Sequence, residues 1–337
     1  MMKVRLIASI LIILFTRLYA QPDGSFRSYY TGEMDDGLRF QMDLTIGTES
    51  LNGSLSFDSS SADPLFLQGE FPLNGTIRLS ASDKNDSTLA QIYLKISPLS
   101  STSSGTWLSI GKNHTQNFRI KKVAEYVLLK NTDDFIKAEA FVPQFISTDP
   151  AWQQINLFLN DAGSDNLNKF VSSSEDRLVI NKTNIFLGWK YRDDYLIRCY
   201  SDKFVSLLVK EDNYSVSGLP GTSYRSLNFQ IADNIPKLIS LSELFQPGSD
   251  YYKILSEQII KDLRPQKASW IVNNQVNLIK KNDMNTFTLT PYFIEFVLRP
   301  GKVAPIEDDY WFARVPYSAL SSILNTGIDF PISNNKK

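Results

Sequence analysis

The chain has 337 residues, 42% of them hydrophobic and 21% charged, with a formal net charge of −1. That balance suits a globular protein with sizeable cores, and at about 150 residues per domain it allows roughly two of them. With 35 Lys and Arg against 36 Asp and Glu, no surplus of positive charge exists to neutralise a phosphate backbone, which argues against nucleic acid as a partner.

Residues 1–20 read as an export signal. Lys3 and Arg5 precede an apolar run from Leu6 to Phe15 broken only by Ser9, and Ala20 supplies a small residue ahead of Gln21-Pro22. A run of about ten residues is too short to cross about 30 Å of hydrocarbon, and Arg17 cuts it off. The expectation is therefore cleavage near Ala20, no stable membrane anchor afterwards, and a soluble periplasmic or secreted protein. The single cysteine, Cys199, cannot form an intrachain disulfide, so the fold must rest on its cores. For an exported chain of this size, that usage leans towards a bacterial envelope.

Residues 21–122 read as an all-β domain. Leu38, Phe40, Met42, Leu44 and Ile46 alternate strictly, the mark of a strand with one buried face. The runs PLFLQGEF, GTIRLSAS, TLAQIYLKI, GTWLSI and NFRIKK follow, punctuated by Asn52-Gly53, Asp63-Pro64, Asn74-Gly75, Asn85-Asp86 and Ser103-Ser104-Gly105. Turn signals about every eight to twelve residues predict an antiparallel meander, closed as a small barrel or folded as a sandwich. A linker is expected over 123–134.

Residues 135–330 predict an α+β domain, an antiparallel sheet with helices packed on one side. Asp149-Pro150 opens a helix carrying Trp152, Ile155, Leu159, Leu167 and Phe170, with Gly163 as a break point. Strand-like runs follow, with Asp193-Asp194 and Ser201-Asp202 as turns. After Pro247-Gly248, an N-cap at Ser249 or Asp250 starts a second helix. Tyr251, Leu255, Ile259 and Leu263 recur there at the helical period, and Pro265 lies just past the end. This helix should lie on a sheet made of the strands before and after it. Tyr317 to Leu324 forms a short last helix, and 331–337 a disordered tail.

Chemistry-bearing groups are sparse. His114 is the one histidine; it falls in a polar turn, and neither a nucleophile–histidine pair nor a multi-ligand metal centre can be assembled around it. Cys199 sits in a strand-like run and reads as a buried small residue. No phosphate-cradling glycine loop and no cofactor motif is present, so no catalytic residue, metal or cofactor is assigned. Six Asn-x-Ser/Thr triplets, at Asn52, Asn74, Asn85, Asn113, Asn181 and Asn213, fit chance in an Asn- and Ser-rich chain. The candidate binding site is the loop Pro305, Ile306, Glu307, Asp308, Asp309 and Tyr310 ahead of Trp311, because it joins carboxylates to the aromatic types that concentrate binding energy. Adjacent carboxylates there, at Asp133-Asp134 and at Asp193-Asp194 are otherwise ordinary solvated loop residues.

The runs FVPQF…QQINLFLN, VSGLPGTSYRSLNFQI, LISLSELFQPGSDYYKILSEQI and VAP…WFARVPYSALSSIL resemble the exported domain pair of the lysozyme-sensing anti-sigma factor family (RsiV-like). The same pair precedes the catalytic domain of some peptidoglycan deacetylases (PdaC-like). The resemblance covers Phe135 to Leu324, at scattered positions, and leaves the β-rich first half outside. It implies an exported module that holds an enzyme through a loop of the Pro305 kind, with Pro305 the one residue that carries over. The family often has Gly-Gly-Ala-His where this chain has Ser217-Gly218-Leu219-Pro220, so any role of that histidine does not carry over. The expected function is non-catalytic binding of an exported protein, a lysozyme in the specific version, or of a peptidoglycan fragment. The rivals are a carboxylate-based wall hydrolase or an accessory to one, and a small-ligand carrier using the β-domain.

Overall fold

The computed structural model describes residues 26–47, 50–58, 60, 62–70, 76–96, 100–111, 114–132, 136–178, 189–214, 221–328 and 330, with backbone alone at 175–178. The expected signal peptide, Asp133-Asp134, the 217–220 loop, the 331–337 tail and the triplets' Asn74, Asn113 and Asn181 lie outside the described residues.

The first eight strands run β1 (Phe26–Met34), β2 (Arg39–Ile46), β3 (Leu51–Phe57), β4 (Leu65–Glu70), β5 (Ile77–Ser82), β6 (Thr88–Lys95), β7 (Thr102–Ser109) and β8 (His114–Thr132). Each pairs antiparallel with the next, and β1 also pairs with β8, which closes a barrel. Of the two closures open to the sequence, the barrel is the one adopted. Its interior takes the alternating set of β2, Phe40, Met42, Leu44 and Ile46, together with Leu55, Leu79, Ile92, Leu94, Trp107 and Phe118. Two glycines make room for the aromatics. A Cβ on Gly32 would lie 2.2 Å from the Phe40 ring, and one on Gly105 would lie 2.3 Å from the Phe118 ring. The two rings meet edge to face at 5.5 Å, a favoured aromatic geometry.

Strand β8 is where the halves join. It pairs with β7 through Lys121, with β1 through Glu125, and with β9 (Ile136–Phe145) from Ala124 to Thr132. Against β1 the register skips Val123, between Lys122 opposite Tyr30 and Ala124 opposite Tyr29. Such a bulge bends and twists its strand, which lets β8 leave the barrel and continue as an open sheet. The expected linker at 123–134 is therefore, through Thr132, continuous strand, and Val123, Ala124 and Tyr126 in it are buried.

After β9, helix α1 (Pro150–Leu178) crosses over to β10 (Trp189–Ser201), which pairs parallel to β9. Then β11 (Phe204–Tyr214), β12 (Gly221–Ala232) and β13 (Ile235–Leu238) add antiparallel strands, giving a sheet of thirteen strands among the described residues. The sheet is thus mostly antiparallel, with one parallel pairing that the sequence reading did not include. Asp149 caps α1 as expected, accepting from the Ala151 N–H at 2.8 Å. Gly163 does not break the helix. A Cβ there would meet Val142 at 3.0 Å and Leu129 at 3.1 Å, so the glycine lets helix and sheet approach closely. Asp193-Asp194 is not a turn either: β10 runs straight through it, and the β10–β11 turn falls at Asp202-Lys203.

Strand β11 is buried on both faces. Val205, Leu207 and Val209 face the core under α1, while Phe204 belongs to a third core. That third core holds helix α2 (Tyr251–Leu263), the short helix α3 (Ser269–Val272) and a separate sheet of β14 (Phe287–Leu289), β15 (Phe293–Leu298) and β16 (Trp311–Pro316). The two sheets are tied by buried polar groups. The Ser206 hydroxyl donates to Asn228 at 2.6 Å and accepts from the Leu289 N–H at 2.9 Å, and the Asn228 amide donates to the Phe287 carbonyl at 3.0 Å. Helix α2 buries Leu255, Ile259 and Leu263 as its period predicts, but its sheet is the small one that follows it rather than one shared with earlier strands. Its N-cap position is Asp250, whose side chain makes no capping bond. Tyr317–Ala319 is a single 3-10 turn. Among the described residues, no helix is long and apolar enough to cross a membrane.

Candidate functional site

The loop before β16 is held at both ends. Val303 and Ala304 are buried at its start, Asp308 N–H closes a turn on the Pro305 carbonyl at 3.2 Å, and Trp311 enters β16 opposite Leu298. Tyr310 is half-buried: its hydroxyl donates to the Thr222 carbonyl at 2.8 Å, and its ring meets Tyr224 edge to face at 4.8 Å. Tyr224 in turn meets Phe312 at 5.7 Å. Burial pushes the Tyr310 phenol above its ordinary range, with Arg299 opposing and Glu211 adding to the shift. The four residues between these anchors, Ile306, Glu307, Asp308 and Asp309, are exposed, Ile306 at 74%. Among the described residues, none of the three carboxylates forms an ion pair.

The clamp has a consequence for place. Gly221 and Thr222 begin β12, directly after the 215–220 segment. The acidic loop and the stem of the Gly218-containing loop, both singled out in the sequence, are therefore neighbours. Thr222, Tyr224 and Arg225 on that stem were missed, and their local pattern carries no signal beyond strand. Lys210 and Asp212 pair at 2.8 Å on the adjoining strand, and the Thr222 hydroxyl donates to Asp212 at 2.7 Å. Burial works to raise the Asp212 carboxyl, but these hydrogen bonds outweigh it and hold it below the usual range.

Behind the stem lies a second charged group. Arg225 donates to Glu211 at 2.6 Å, to Asp193 at 3.2 Å and to the Tyr195 hydroxyl at 3.0 Å. Asp193 and Glu211 sit directly opposite on β10 and β11, a repulsive placement that the shared guanidinium offsets. Asp193 also accepts from Asn166 at 3.1 Å and is 0% exposed. Burial pushes its carboxyl up, against the pull of Asn166, Tyr191 and Arg225. Two close carboxylates suit glycoside hydrolysis, but a sealed Asp193 does not reach a substrate.

The remaining candidates are dispersed. Cys199 is buried at 1% exposure, and burial drives its thiol well above the reactive range. His114 is exposed at the start of β8. Among the described residues, no group of three or more His, Cys, Asp or Glu side chains could hold a metal ion. A carrier in the β-domain needs room inside the barrel, and eighteen buried side chains, Phe40, Met42, Trp107 and Phe118 among them, cluster in that interior. One open cleft of about 1420 Å³ lies between the barrel flank and the β10–β11 turn.

Part of the chain is similar to solved structures, among them two DUF3298 proteins. One is a DUF3298 family protein from Pseudomonas aeruginosa PAO1, 13% identical, with a TM-score of 0.47 over 60% of this chain and 94% of the other. The second is a DUF3298 family member from Bacteroides fragilis, 11% identical, with a TM-score of 0.46 over 60% and 93%. No family model and no curated protein matches the sequence.

Proposed function

We propose that this is an exported, non-catalytic binding protein of a bacterial envelope, and that the 305–310 loop is its contact surface for a cationic protein. The carrying observation is the Tyr310–Thr222 clamp at 2.8 Å, which fixes an otherwise exposed run of one apolar and three acidic side chains. A held loop loses little freedom on binding. Its unpaired carboxylates steer a partner of opposite charge, while Ile306 offers the apolar centre that a polar rim surrounds. The RsiV-like resemblance supports the same loop, through Pro305, and names a lysozyme as the specific form of the partner.

The test is a calorimetric titration of the mature chain with a c-type lysozyme. Saturable binding is expected, weakened about tenfold or more by Asp308→Lys, the loss of roughly one close charge pair. No heat at tens of micromolar removes the lysozyme version. Unchanged affinity in Asp308→Lys removes the loop.

A further inference from the structure

The open cleft belongs to neither the loop nor its stem. It lies at the other end of β11, and the eight residue steps from Lys203 to Glu211 put about 25–30 Å between them. Its floor is the outer face of the barrel. Cross-strand registers set Arg119, Glu33 and Arg39 in one row over β8, β1 and β2, with Ser104 of β7 beside Arg119. Lys121 and Thr31 occupy the next row. The facing wall is the β10–β11 turn with Tyr200, together with Phe330.

We infer that this cleft binds a carboxylated oligosaccharide. Three cations stand on its rigid floor, Arg119 and Lys121 about 7 Å apart along β8 and Arg39 about 10 Å away across two strand spacings. Arg119 and Lys121 are exposed and form no ion pair among the described residues, and Arg39 meets Glu33 only at 3.4 Å with both side chains more than half exposed. Separated cations on a sheet match charges spaced along a chain better than one concentrated anion. A phosphate group is held best by donors that converge on one point, whereas these cations stand apart on strands whose N–H groups are in the ladder. Glu33, Asp58 and Asp202 stand among the cations, with Lys203 beside Asp202 on the turn, a setting that a doubly charged phosphate tolerates less well than a single carboxylate. Neutral hydroxyls from Thr31, Ser104 and Ser201 line the same space and suit sugar hydroxyls, while Tyr200, whose ring packs on Phe145 and Trp152, and Phe330, whose ring meets Tyr317, form its half-buried aromatic side. The volume exceeds the roughly 300–1,000 Å³ of a small-molecule pocket, which fits a segment of polymer passing through an open groove.

The experiment titrates the mature chain with a tetramer of galacturonic acid and, in parallel, with neutral chitotetraose. Saturable binding of the acidic tetramer is expected, at least about tenfold tighter than the neutral one, and weakened about tenfold or more in the double variant Arg119→Gln/Lys121→Gln. Both positions are exposed, so the variant should keep the parent's thermal midpoint, and Asp308→Lys should bind the tetramer as the parent does. Affinity should also fall as salt is raised, because exposed charge contacts are screened. Equal affinity for both tetramers, no binding by about 10 mM, or an unaffected double variant would each overturn the assignment without touching the loop.

Discussion

Arg27, in the first barrel strand, donates to Asp194, in the strand after the crossover helix, at 2.6 Å across 167 positions of sequence. The same guanidinium grips Asp43 through two hydrogen bonds of 2.8 and 2.7 Å and lies 4.1 Å over the Tyr126 ring. One side chain therefore ties β1 and β2 of the barrel to β8 and β10 of the open sheet. Burial opposes the charge on Arg27, but Tyr126, Asp43 and Asp194 outweigh it and raise its pKa.

Removing that side chain leaves mostly buried Asp43 without its cation, and leaves Asp194 with only the half-exposed Arg192 at 3.1 Å. Arg27→Ala should cost about 2–4 kcal/mol, somewhat less than a fully buried pair because Asp194 keeps some solvent. Urea unfolding followed by tryptophan fluorescence measures it. A midpoint within error of the parent would mean that the pair contributes nothing to the joint.

The continuity of β8 makes a second claim about the halves. A fragment ending at residue 122, the expected domain edge, loses the pairings of Tyr29 with Ala124 and Ser28 with Glu125, the last that close β1 on β8. A fragment ending at 132 keeps the whole strand. The shorter one should melt at a lower temperature and less cooperatively than the longer one, because its closing seam has lost two of its pairings. Two fragments with identical melting curves would show that the halves fold independently at residue 122.

What the sequence carried and what it hid follow from range. The barrel strands were legible because alternation such as Phe40, Met42, Leu44 and Ile46 is a local signal. Asp193-Asp194 was misread because two adjacent acids look like a turn; what makes them strand residues is Arg225 from two strands away and Arg27 from the far end of the chain. The linker was misread because the pattern changes there from all-β to mixed, whereas Val123, Ala124 and Tyr126 carry a strand buried by partners on both sides. The acidic loop was visible in composition. Its neighbour was not, since the clamp uses a backbone carbonyl 88 residues earlier, and a carbonyl leaves no trace in side-chain chemistry.

Acid should loosen the turn that precedes α2. Glu243 accepts from Lys237 at 2.5 Å and from the Ser240 N–H and hydroxyl at 2.8 Å each, which lowers its carboxyl from the ordinary 4.5 to about 2. A depressed folded pKa gives stability that is present above 4.5 and lost as pH falls from there towards about 2. The groups are solvent-screened, so the effect should stay below about 1 kcal/mol. Glu243→Gln should remove that part of the acid sensitivity while changing little at pH 2. Parallel stability curves for parent and variant across this window would count against it.

Gly163 tests how tightly α1 sits on the sheet. Alanine would trade better helix propensity against contacts of 3.0 and 3.1 Å to Val142 and Leu129, so its net effect should be small. Valine adds two methyl groups where no room remains, and Gly163→Val should destabilise by about 1–3 kcal/mol. Thermal melts of the two variants make the comparison. A valine variant as stable as alanine would mean that helix and sheet part without cost.

The loop itself can be tested without its partner. Tyr310→Phe keeps the ring against Tyr224 but removes the donor to the Thr222 carbonyl. That lost hydrogen bond should cost global stability only about 0.5–1.5 kcal/mol, because the loop end is partly exposed. Its local effect should be larger. The Asp308 N–H bonds to Pro305 inside the same loop, so its hydrogen exchange reports how firmly the loop is held. Exchange at Asp308 should quicken several-fold in Tyr310→Phe while the β12 amides beyond Arg225 keep their protection. If the partner contacts a held loop, its affinity should fall with that protection, since ordering the loop then has to be supplied by binding. A variant that exchanges faster yet binds equally well would show that the loop's acidic groups act without being fixed in place.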